Sequence, residues 1–533
     1  MKKSAIRIVC LLLIAVTAAG CGRSGPEEPA DSRQRIWGIP VLTREELTEA
    51  VLSLPETAPA EREAVLTYDG AELPCLSDRS RYFLTVDRDA DGRGAGLMAA
   101  SEGRLALDEE DLTEPLETYM AAGTPLTVYL YDDETFSRLS VVLTTLPVIT
   151  IETGGAEIGR DDVACDVTLF RPREGSSGAE RAAFPALIHM RGATSTTLPK
   201  VGHAVELYEK DRSDTRKASL LSMRKDDDWI LNPVYSDESK IRDAVAWRVW
   251  EAVGAHAFGD APGTVDFRYV EVILDGTYHG FYVLMEKLDR KTVGAGTDGA
   301  LFKGKTWAIP SSAAFRAADG TTETCCGVEL KYPDPGKAPA DVWQGMAEFT
   351  ELVYEDRNSR FVSEIEERVD VHNMLDYWLF LQIVLGSDNT WKNMYFADFD
   401  GKIRVLPWDL DVTFGLAWSE SKRNYLYRQL SLSSEIFDFR CSGRLIEIYP
   451  GAADYVKERW AELTSSGALN EERIIGWAET YWNELHTSGA WARNLERWPD
   501  TSAARDLTYF SKVVIVRFRF LSDYLENLKD AGD

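Results

Sequence analysis

Stretches in which apolar, β-branched and aromatic residues alternate with polar ones, or run together, fill the chain from residue 36 to about residue 290. Such stretches, bounded by acidic or glycine-containing turns, predict β-strands. We expect strands at residues 81–86, 125–131, 137–144, 163–170, 186–190 and 203–208. A hairpin is also expected, with strands at 269–274 and 280–285 around an Asp275-Gly276 turn.

Helical spacing replaces this pattern in three places. Residues 236–253 have apolar residues on one face, and Ser236 or Asp237 is the expected cap. Residues 371–385 predict a strongly apolar helix that stops at Gly386. Towards the C-terminus the chain is mainly helical and rich in tryptophan, so the second half of the protein should be predominantly α-helical.

A polar loop after the apolar helix carries the most informative motif. Asp388 and Asn393 are five residues apart in this loop. A predicted two-stranded ribbon with a turn at Asp400-Gly401 follows, and it leads to the paired carboxylates Asp409 and Asp411. Protein kinases have the same order of catalytic Asp, Asn, two strands and metal-binding Asp. The usual His-Arg before the catalytic Asp and a literal Asp-Phe-Gly are missing, which excludes a standard protein kinase but not a divergent one.

Each member of this set has a possible role in phosphoryl transfer. Asp388 would accept or orient the proton of an acceptor hydroxyl, and Asn393 would bind a metal ion. Asp409 and Asp411 are two residues apart, so in an extended segment both carboxylates point to one side. That arrangement is costly without a cation, and Mg²⁺ or Mn²⁺ would relieve it. Alternatively, Asp388 and Asn393 are turn residues, and one of the two later carboxylates is structural.

Several residues of the β-rich region are candidates for nucleotide binding. Lys200 lies between two predicted strands and Arg242 lies on the predicted helix; both are equally compatible with ordinary surface charges. In place of a glycine-rich loop, the chain has a loop from Arg191 to Ser195 whose amides could bind phosphate. Glu286 ends an apolar strand, where it could contact the nucleotide, pair with a cation or lie on the surface.

These elements divide the chain into two folded parts. Residues 36–145 are expected to form a small all-β domain. Residues 146–530 are expected to form an atypical two-lobe fold like that of a protein kinase, with a β-rich small lobe over about 146–290 and a mainly helical large lobe over about 335–530. The predicted fold class is therefore α+β.

Seven motifs in a fixed order make the resemblance more specific. They are Arg191-Gly192…Ser195…Lys200, Asp227-Asp228-Trp229-Ile230-Leu231-Asn232, Lys240-Ile241-Arg242, Gly280-Phe281-Tyr282…Glu286, Lys331-Tyr332-Pro333, Asp388…Asn393 and Pro407-Trp408-Asp409-Leu410-Asp411…Phe414-Gly415. Together they resemble the CotH kinase-like family, named for a spore-coat protein, over about residues 146–525. The resemblance implies an atypical kinase that uses ATP and a divalent metal to phosphorylate Ser or Thr of secreted or surface proteins, spore-coat proteins among them.

The first 20 residues predict a lipoprotein signal peptide. Two lysines precede an apolar run, and the small residues Ala18-Ala19-Gly20 precede Cys21, which is placed like the lipid-modified cysteine of bacterial lipoproteins. An ordinary signal peptide cleaved near Ala19 is the alternative. Residues 21–35 would form a linker. The expected location is therefore the extracytoplasmic face of the cell membrane, with the lipid on Cys21 as the anchor.

Composition limits the partners. The chain of 533 residues has 59 Lys and Arg against 87 Asp and Glu, a net charge of −28. Without a basic stretch to neutralise phosphates, nucleic acid is not an expected partner. Beyond Cys10 and Cys21, five irregularly spaced cysteines do not form a disulfide framework. Six scattered histidines argue against a zinc enzyme.

Three functions remain compatible with the sequence. The first is a membrane-anchored atypical Ser/Thr kinase that transfers the γ-phosphate of ATP with Mg²⁺ or Mn²⁺ and acts on a secreted or surface protein. The second is a non-catalytic surface protein with a kinase-like fold, used in adhesion or envelope assembly. The third uses the same metal site to transfer another group, such as AMP or an amino acid.

Overall fold

The computed structural model describes residues 34–86, 92, 96–100, 102–173, 179–296, 298–419, 425–500 and 502–531. The predicted signal peptide, Cys21 and the linker up to residue 33 lie outside these ranges. Among the helices within them, none is long and apolar enough to cross a membrane.

The strands form three groups along the chain. Those of the N-terminal part are β1 Arg35–Ile36, β2 Ile39–Leu42, β3 Leu66–Tyr68, β4 Ala71–Glu72, β5 Arg81–Thr85, β6 Leu97–Ala99, β7 Arg104–Asp108, β8 Leu126–Tyr131 and β9 Phe136–Thr144. The middle group is β10 Val148–Glu152, β11 Val163–Pro172, β12 Ala179–Arg191, β13 Gly202–Leu207, β14 Asp228–Asn232, β15 Phe267–Leu274 and β16 Thr277–Glu286. The last group is β17 Ala300–Gly304, β18 Thr324–Cys325, β19 Val328–Tyr332, β20 Met394–Phe399, β21 Lys402–Pro407, β22 Leu416–Ser419 and β23 Tyr425–Arg428.

Most helices follow the middle group of strands. They are α1 Arg44–Leu47, α2 Leu116–Ala122, α3 Arg242–Val253, α4 Ser312–Ala317, α5 Gln344–Thr350, α6 Asn358–Arg368, α7 Val371–Val384, α8 Arg440–Ile448, α9 Ala452–Ser465, α10 Glu471–Thr487, α11 Ala490–Arg497 and α12 Thr508–Asn527. This mixture of helices and largely antiparallel sheets confirms the predicted α+β class.

The N-terminal part consists of a six-stranded sheet in the order β1-β2-β7-β8-β9-β5 and a three-stranded sheet in the order β4-β3-β6. It also contains α1 and α2, so the all-β prediction for residues 36–145 is too narrow. Phe83 of β5 stacks on Tyr278 of β16 with 5.5 Å between ring centroids. The N-terminal part therefore packs against the middle group of strands.

The middle strands close into a seven-stranded barrel in the order β10-β11-β12-β13-β14-β16-β15. Its predicted β15–β16 hairpin is confirmed, and closure comes from parallel pairing of β10 with β15. Trp229, Val270 and Tyr282 are among the side chains that fill one of its cores. The sequence predicted five of these strands but neither β10 nor β14. It did not predict the barrel, because local alternation gives no information about which distant strands pair.

The predicted ribbon is confirmed as β20 and β21, which pair from Met394 with Pro407 to Phe399 with Lys402. Asp400 and Gly401 both have left-handed backbone angles, φ 57° and 74°, as a tight two-residue hairpin turn requires. The ribbon belongs to a larger sheet in the order β18-β19-β17-β20-β21. The strands β17–β19 come from a segment for which no strand was predicted.

The helices near this sheet begin and end close to the predicted positions. α3 begins at Arg242 rather than at residue 236, and the Asp237 carboxylate accepts the Arg242 N–H at 2.8 Å. α7 ends at Val384 because Leu385, rather than Gly386, adopts the left-handed conformation, with φ 59°. The polar loop with Asp388 therefore begins where it was expected, directly after the buried helix.

A buried polar contact connects α11 to the barrel. Arg493 donates to both oxygens of Glu271 on β15, at 2.7 and 3.0 Å, and Tyr278 donates to the same carboxylate at 2.6 Å. Nearby, the Trp498 indole donates to the His279 carbonyl at 2.8 Å. Since Glu271 and Arg493 are both buried, each depends on the other for its compensating charge.

Glu271→Gln should lower the free energy of unfolding by about 3–5 kcal/mol, because it leaves the Arg493 guanidinium buried without a counter-charge. Urea denaturation would measure this loss. The matched control is Asp133→Asn, since Asp133 pairs with Arg104 at 2.6 Å but the two side chains are 92% and 60% exposed. That change should cost less than about 1 kcal/mol. Equal losses in the two variants would contradict the prediction.

Candidate active site at the end of the ribbon

The loop after α7 brings Asp388 and Asn393 together. The Asn393 side-chain amide donates to Asp388 Oδ2 at 2.7 Å, and the Lys392 ammonium lies 3.1 Å from the same oxygen. Burial raises the pKa of Asp388, and the nearby charge of Asp409 adds to the increase. A carboxylate with a raised pKa is a better proton acceptor, which suits the predicted role of Asp388.

The paired carboxylates after β21 differ in their surroundings. Asp409 is exposed and left-handed, with φ 58°, and it has no hydrogen bond or ion pair with any residue in the described part of the chain. Asp411 is half-buried and accepts a hydrogen bond from the Ser236 hydroxyl at 2.5 Å. The pKa of Asp411 is raised well above its usual range, first by burial and then by the charges of Asp409, Asp243 and Asp388.

Asp243 is a fourth carboxylate at this site, and sequence reasoning missed it. It lies in the first turn of α3, is buried, and accepts the Leu410 N–H at 2.8 Å. Its pKa is raised to about 7, mainly by burial and further by Asp409. The only sequence signal was its position directly after the Lys240-Ile241-Arg242 motif, because nothing in the local pattern relates α3 to a segment 167 residues later.

The donor set fits a hard divalent cation, although the side chains are not closed around one point. Within the described ranges, no three His, Cys, Asp or Glu side chains form a ready-made metal site. Mutual repulsion nevertheless contributes to the raised pKa values of Asp243, Asp388 and Asp411. A cation among these oxygens would remove that repulsion, and carboxylate and amide oxygens are the ligands that Mg²⁺ and Mn²⁺ prefer.

Two cations lie on the Asp409 side of this group. The Arg191 guanidinium is 5.7 Å from the Trp408 ring centroid, and the Lys303 ammonium is 5.3 Å from the same centroid. Neither forms a hydrogen bond or ion pair with a residue that the structure describes. Burial lowers the pKa of both side chains. The pKa of Lys303 falls to about 8, mainly through burial and also through the charge of Arg191. An anion between them would supply the missing partner.

Lys303 is a second residue that sequence reasoning missed. It lies on β17, opposite Tyr395 of β20 in the cross-strand register. A signal was present in the sequence, since Lys303 directly follows the apolar run Ala300-Leu301-Phe302, but no partner strand could be recognised. The predicted candidate Arg191 ends β12, so the two cations come from different sheets.

Two predicted phosphate-binding cations have structural roles instead. Lys200 is buried, and its ammonium donates to the carbonyls of Phe281 and Pro233 and, at 2.9 Å, to Asn494. All three of its donors are therefore used. Arg242 is buried as well and pairs with Asp237 at 2.6 Å. The assignment of these two residues to nucleotide binding is corrected, because neither can turn to a ligand without abandoning a buried partner.

The assignment of Glu286 to nucleotide binding is also corrected. It is buried at the end of β16, where its two oxygens accept the N–H groups of Arg224, at 2.7 Å, and Asp266, at 3.3 Å.

Ser195 lies half-buried in a short 3-10 turn that follows Arg191 and Gly192. Gly192 has φ 112°, and a Cβ there would come within 2.3 Å of the Ser195 hydroxyl. Ser195 thus shapes the loop after Arg191, and its contact with a ligand stays a prediction.

The predictions about cysteine are consistent with this structure. Cys75, Cys165, Cys325, Cys326 and Cys441 are free thiols. The sulfur atoms of the adjacent pair Cys325 and Cys326 are 4.0 Å apart and are not bonded. The absence of a disulfide framework among these five residues agrees with their irregular spacing.

Comparison with known families is decisive for the main part of the chain. The family described as CotH kinase protein matches residues 188–526, which is more than half of the sequence. The chain belongs to the CotH kinase family. The match includes Arg191, Asp243, Lys303 and the whole Asp388–Asp411 segment. No curated protein matches the chain.

Membership in the CotH kinase family makes this a kinase-like protein, and it implies ATP and a divalent metal in general terms. The family match begins inside β12. The barrel of this CotH kinase protein extends further towards the N-terminus, since β10 and β11 belong to the same closed sheet. The N-terminal sheets lie outside the match.

Asp243→Asn should stabilise the metal-free protein above about pH 7. The folded pKa of Asp243, about 7, exceeds the usual value near 4, so the wild type loses stability as the pH rises from about 4 to 7. The substituted amide carries no charge, and its oxygen can still accept the Leu410 N–H. The gain, on the order of 1.4 kcal/mol for each unit of pKa increase, should be absent near pH 4.

Melting temperatures from pH 4 to pH 8 in a chelator would test this. Asp500→Asn is the control, because Asp500 forms an ion pair with buried Lys240 at 2.9 Å, so its loss should destabilise the protein. The prediction is wrong if the variant Asp243→Asn melts below the wild type at pH 8.

Proposed function

We propose that this CotH family member is an atypical protein kinase that transfers the γ-phosphate of ATP to Ser or Thr of secreted or surface proteins. One observation carries the proposal. Asp388 and Asn393, the carboxylates Asp409 and Asp411, and a pair of cations without protein partners in the described part of the chain occur together at one end of the ribbon. This is the set of groups that phosphoryl transfer requires.

In this proposal Asp409, Asp411 and the amide oxygen of Asn393 hold the divalent cation. The cation supplies charge neutralisation for the phosphates of the bound nucleotide. Arg191 and Lys303 bind the phosphate oxygens from the opposite side, over the face of Trp408. Negative carboxylates, a metal, negative phosphates and positive side chains would then alternate across the site, so that each charged group would face groups of the opposite sign.

Asp388 is proposed to receive the proton of the acceptor hydroxyl. The hydroxyl oxygen forms a bond with the γ-phosphorus, while the bond between that phosphorus and the β–γ bridging oxygen breaks and ADP leaves. The hydrogen bond from Asn393 holds the Asp388 carboxylate in place. Lys392, 3.1 Å from Asp388, balances its charge before the proton arrives.

The proposal extends to architecture and location. The barrel with α3 corresponds to the small lobe of a kinase, and the helices from α4 onward correspond to the large lobe, with the ribbon at their junction. A lipid on Cys21 would anchor the protein on the extracytoplasmic face of the membrane, where its partners are secreted or surface proteins. The strongly acidic composition supports this choice of partner over nucleic acid.

Lys303→Ala should weaken binding of ATP with Mg²⁺ about 10- to 100-fold, because it removes one charge-assisted hydrogen bond to phosphate. Thermal-shift titration would report the change, since a ligand that binds only the folded state raises the melting temperature. The control is Lys305→Ala, two residues along the chain. Lys305 is half-exposed and lies 3.4 Å from Glu329. Removal of the Lys305 side chain should alter the affinity for ATP less than roughly 2-fold, because an exposed ion pair contributes little. Equal losses of affinity in the two variants would contradict the assignment of Lys303.

Asp388→Ala should abolish transfer while the melting temperature and the ATP-dependent shift are retained. The reason is that this residue acts on the acceptor hydroxyl and not on the nucleotide. Intact-mass measurement of an acceptor protein would follow the reaction, and the mass added also distinguishes a phosphoryl group from AMP or an amino acid. Undiminished transfer by the variant would overturn the proposed role.

A further inference from the structure

Asn389, next to Asp388 in the chain, is fully buried and connects two separate segments of the site. Its side-chain amide nitrogen donates to the Asn393 carbonyl at 2.8 Å and to the Trp408 carbonyl at 2.7 Å. The first carbonyl belongs to the loop that holds the predicted catalytic residue. The second directly precedes Asp409. One amide group therefore joins the two segments that the ribbon separates in sequence.

The backbone around this amide supports the same connection. The Trp408 N–H donates to the Asn393 carbonyl at 3.0 Å, and the Asn393 N–H donates to the Gly304 carbonyl at 3.0 Å. Asn393 and Asp409 both have left-handed backbones, with φ 57° and 58°. Asn and Asp adopt this conformation more readily than other residues that have a Cβ. The two hydrogen bonds from Asn389 fix the carbonyl of Asn393 and the carbonyl directly before Asp409.

A buried helix holds this connection in place. Tyr377 of α7 donates to the Asn389 carbonyl at 2.8 Å, which fixes Asn389 itself to that helix. A continuous path of hydrogen bonds therefore runs from α7 through the side chain of Asn389 to both segments.

The geometry points to Asn389 as a positioning residue that holds Asn393 and Asp409 at the separation needed to share a divalent cation. This inference rests on the proposed metal-dependent function. Asn is required at this position because one short side chain must supply two donors to two carbonyls. Asp has no donor when it is charged, Ser has one, and Ala has none.

Asn373 provides a matched control. It is also fully buried, and its side chain donates to the Val405 carbonyl at 3.1 Å and accepts the Val405 N–H at 2.7 Å. Both asparagines therefore connect the α7 region to the backbone of the ribbon segment. Of the two, only Asn389 contacts Asn393 and the residue before Asp409. The two substitutions therefore remove similar hydrogen bonds, but only Asn389→Ala should displace the proposed metal ligands.

The experiment compares Asn389→Ala, Asn373→Ala and the wild type, each as the full chain, in Mn²⁺ titrations followed by electron paramagnetic resonance of the free ion. Asn389→Ala should weaken Mn²⁺ binding about 10- to 100-fold, the effect typical of residues that orient metal ligands. Asn373→Ala should lower the melting temperature to a similar extent but keep the wild-type Mn²⁺ affinity. Wild-type affinity in Asn389→Ala, or equal losses in both variants, would overturn the inference.

Hydrogen exchange of the metal-free proteins is a second measurement, which needs neither metal nor activity. Amides of residues 391–393 and 408–411 should exchange at least about 10-fold faster in Asn389→Ala than in Asn373→Ala, since local opening controls their protection. Equal exchange rates of these amides in the two variants would overturn the inference. This test remains valid if Asn389→Ala fails to bind Mn²⁺ only because the whole protein is destabilised. A wild type that binds no Mn²⁺ would instead overturn the proposed metal-dependent function, while the exchange comparison still decides the role of Asn389.

Discussion

Repulsion among four carboxylates is the constraint on which the rest of the site depends. Asp243, Asp388, Asp409 and Asp411 come from α3, the loop after α7 and the segment after β21, and burial together with their neighbours' charges raises the pKa of three of them. A fold gains nothing in stability from such a group without a cation. The presence of these four carboxylates is explained if they bind a metal ion and do not contribute to folding. Functional sites commonly reduce stability in this way.

The structure opposes this repulsion mostly through backbone groups. The Leu410 N–H reaches Asp243, the Asn393 N–H reaches Gly304, and the side chain of Asn389 reaches two carbonyls. Gly304 permits one of these approaches, because a Cβ there would lie 2.0 Å from the Trp391 carbonyl. The bonds to the carbonyl groups of Gly304, Asn393 and Trp408 do not involve the carboxylates, so this part of the site can be held in place before any ligand arrives.

The sequence predicted best those features that depend on residues close together in the chain. The Asp388–Asn393 loop and the ribbon lie where they were expected. The segment with Asp409 and Asp411 is not extended as predicted, because Asp409 is left-handed with φ 58°. Asp243 and Lys303 were missed because their relation to the site exists only through tertiary packing, α3 against residue 410 and β17 against β20. The barrel was missed for the same reason. Lys200 was misassigned because sequence shows that a lysine is present, but not whether its donors are already used.

The four candidate cations fall into two classes, according to whether protein groups already occupy their hydrogen-bond donors. Lys200 and Arg242 are buried and hydrogen-bonded to protein groups, Lys200 to carbonyl groups and Arg242 to Asp237. Arg191 and Lys303 are held over one aromatic ring beside Asp409, without a hydrogen-bonded partner in the described part of the chain. Two like charges placed close together cost free energy, as the four carboxylates do. A metal-bound polyphosphate would relieve both costs at once if its cation lay among the carboxylates and its oxygens lay beside Arg191 and Lys303.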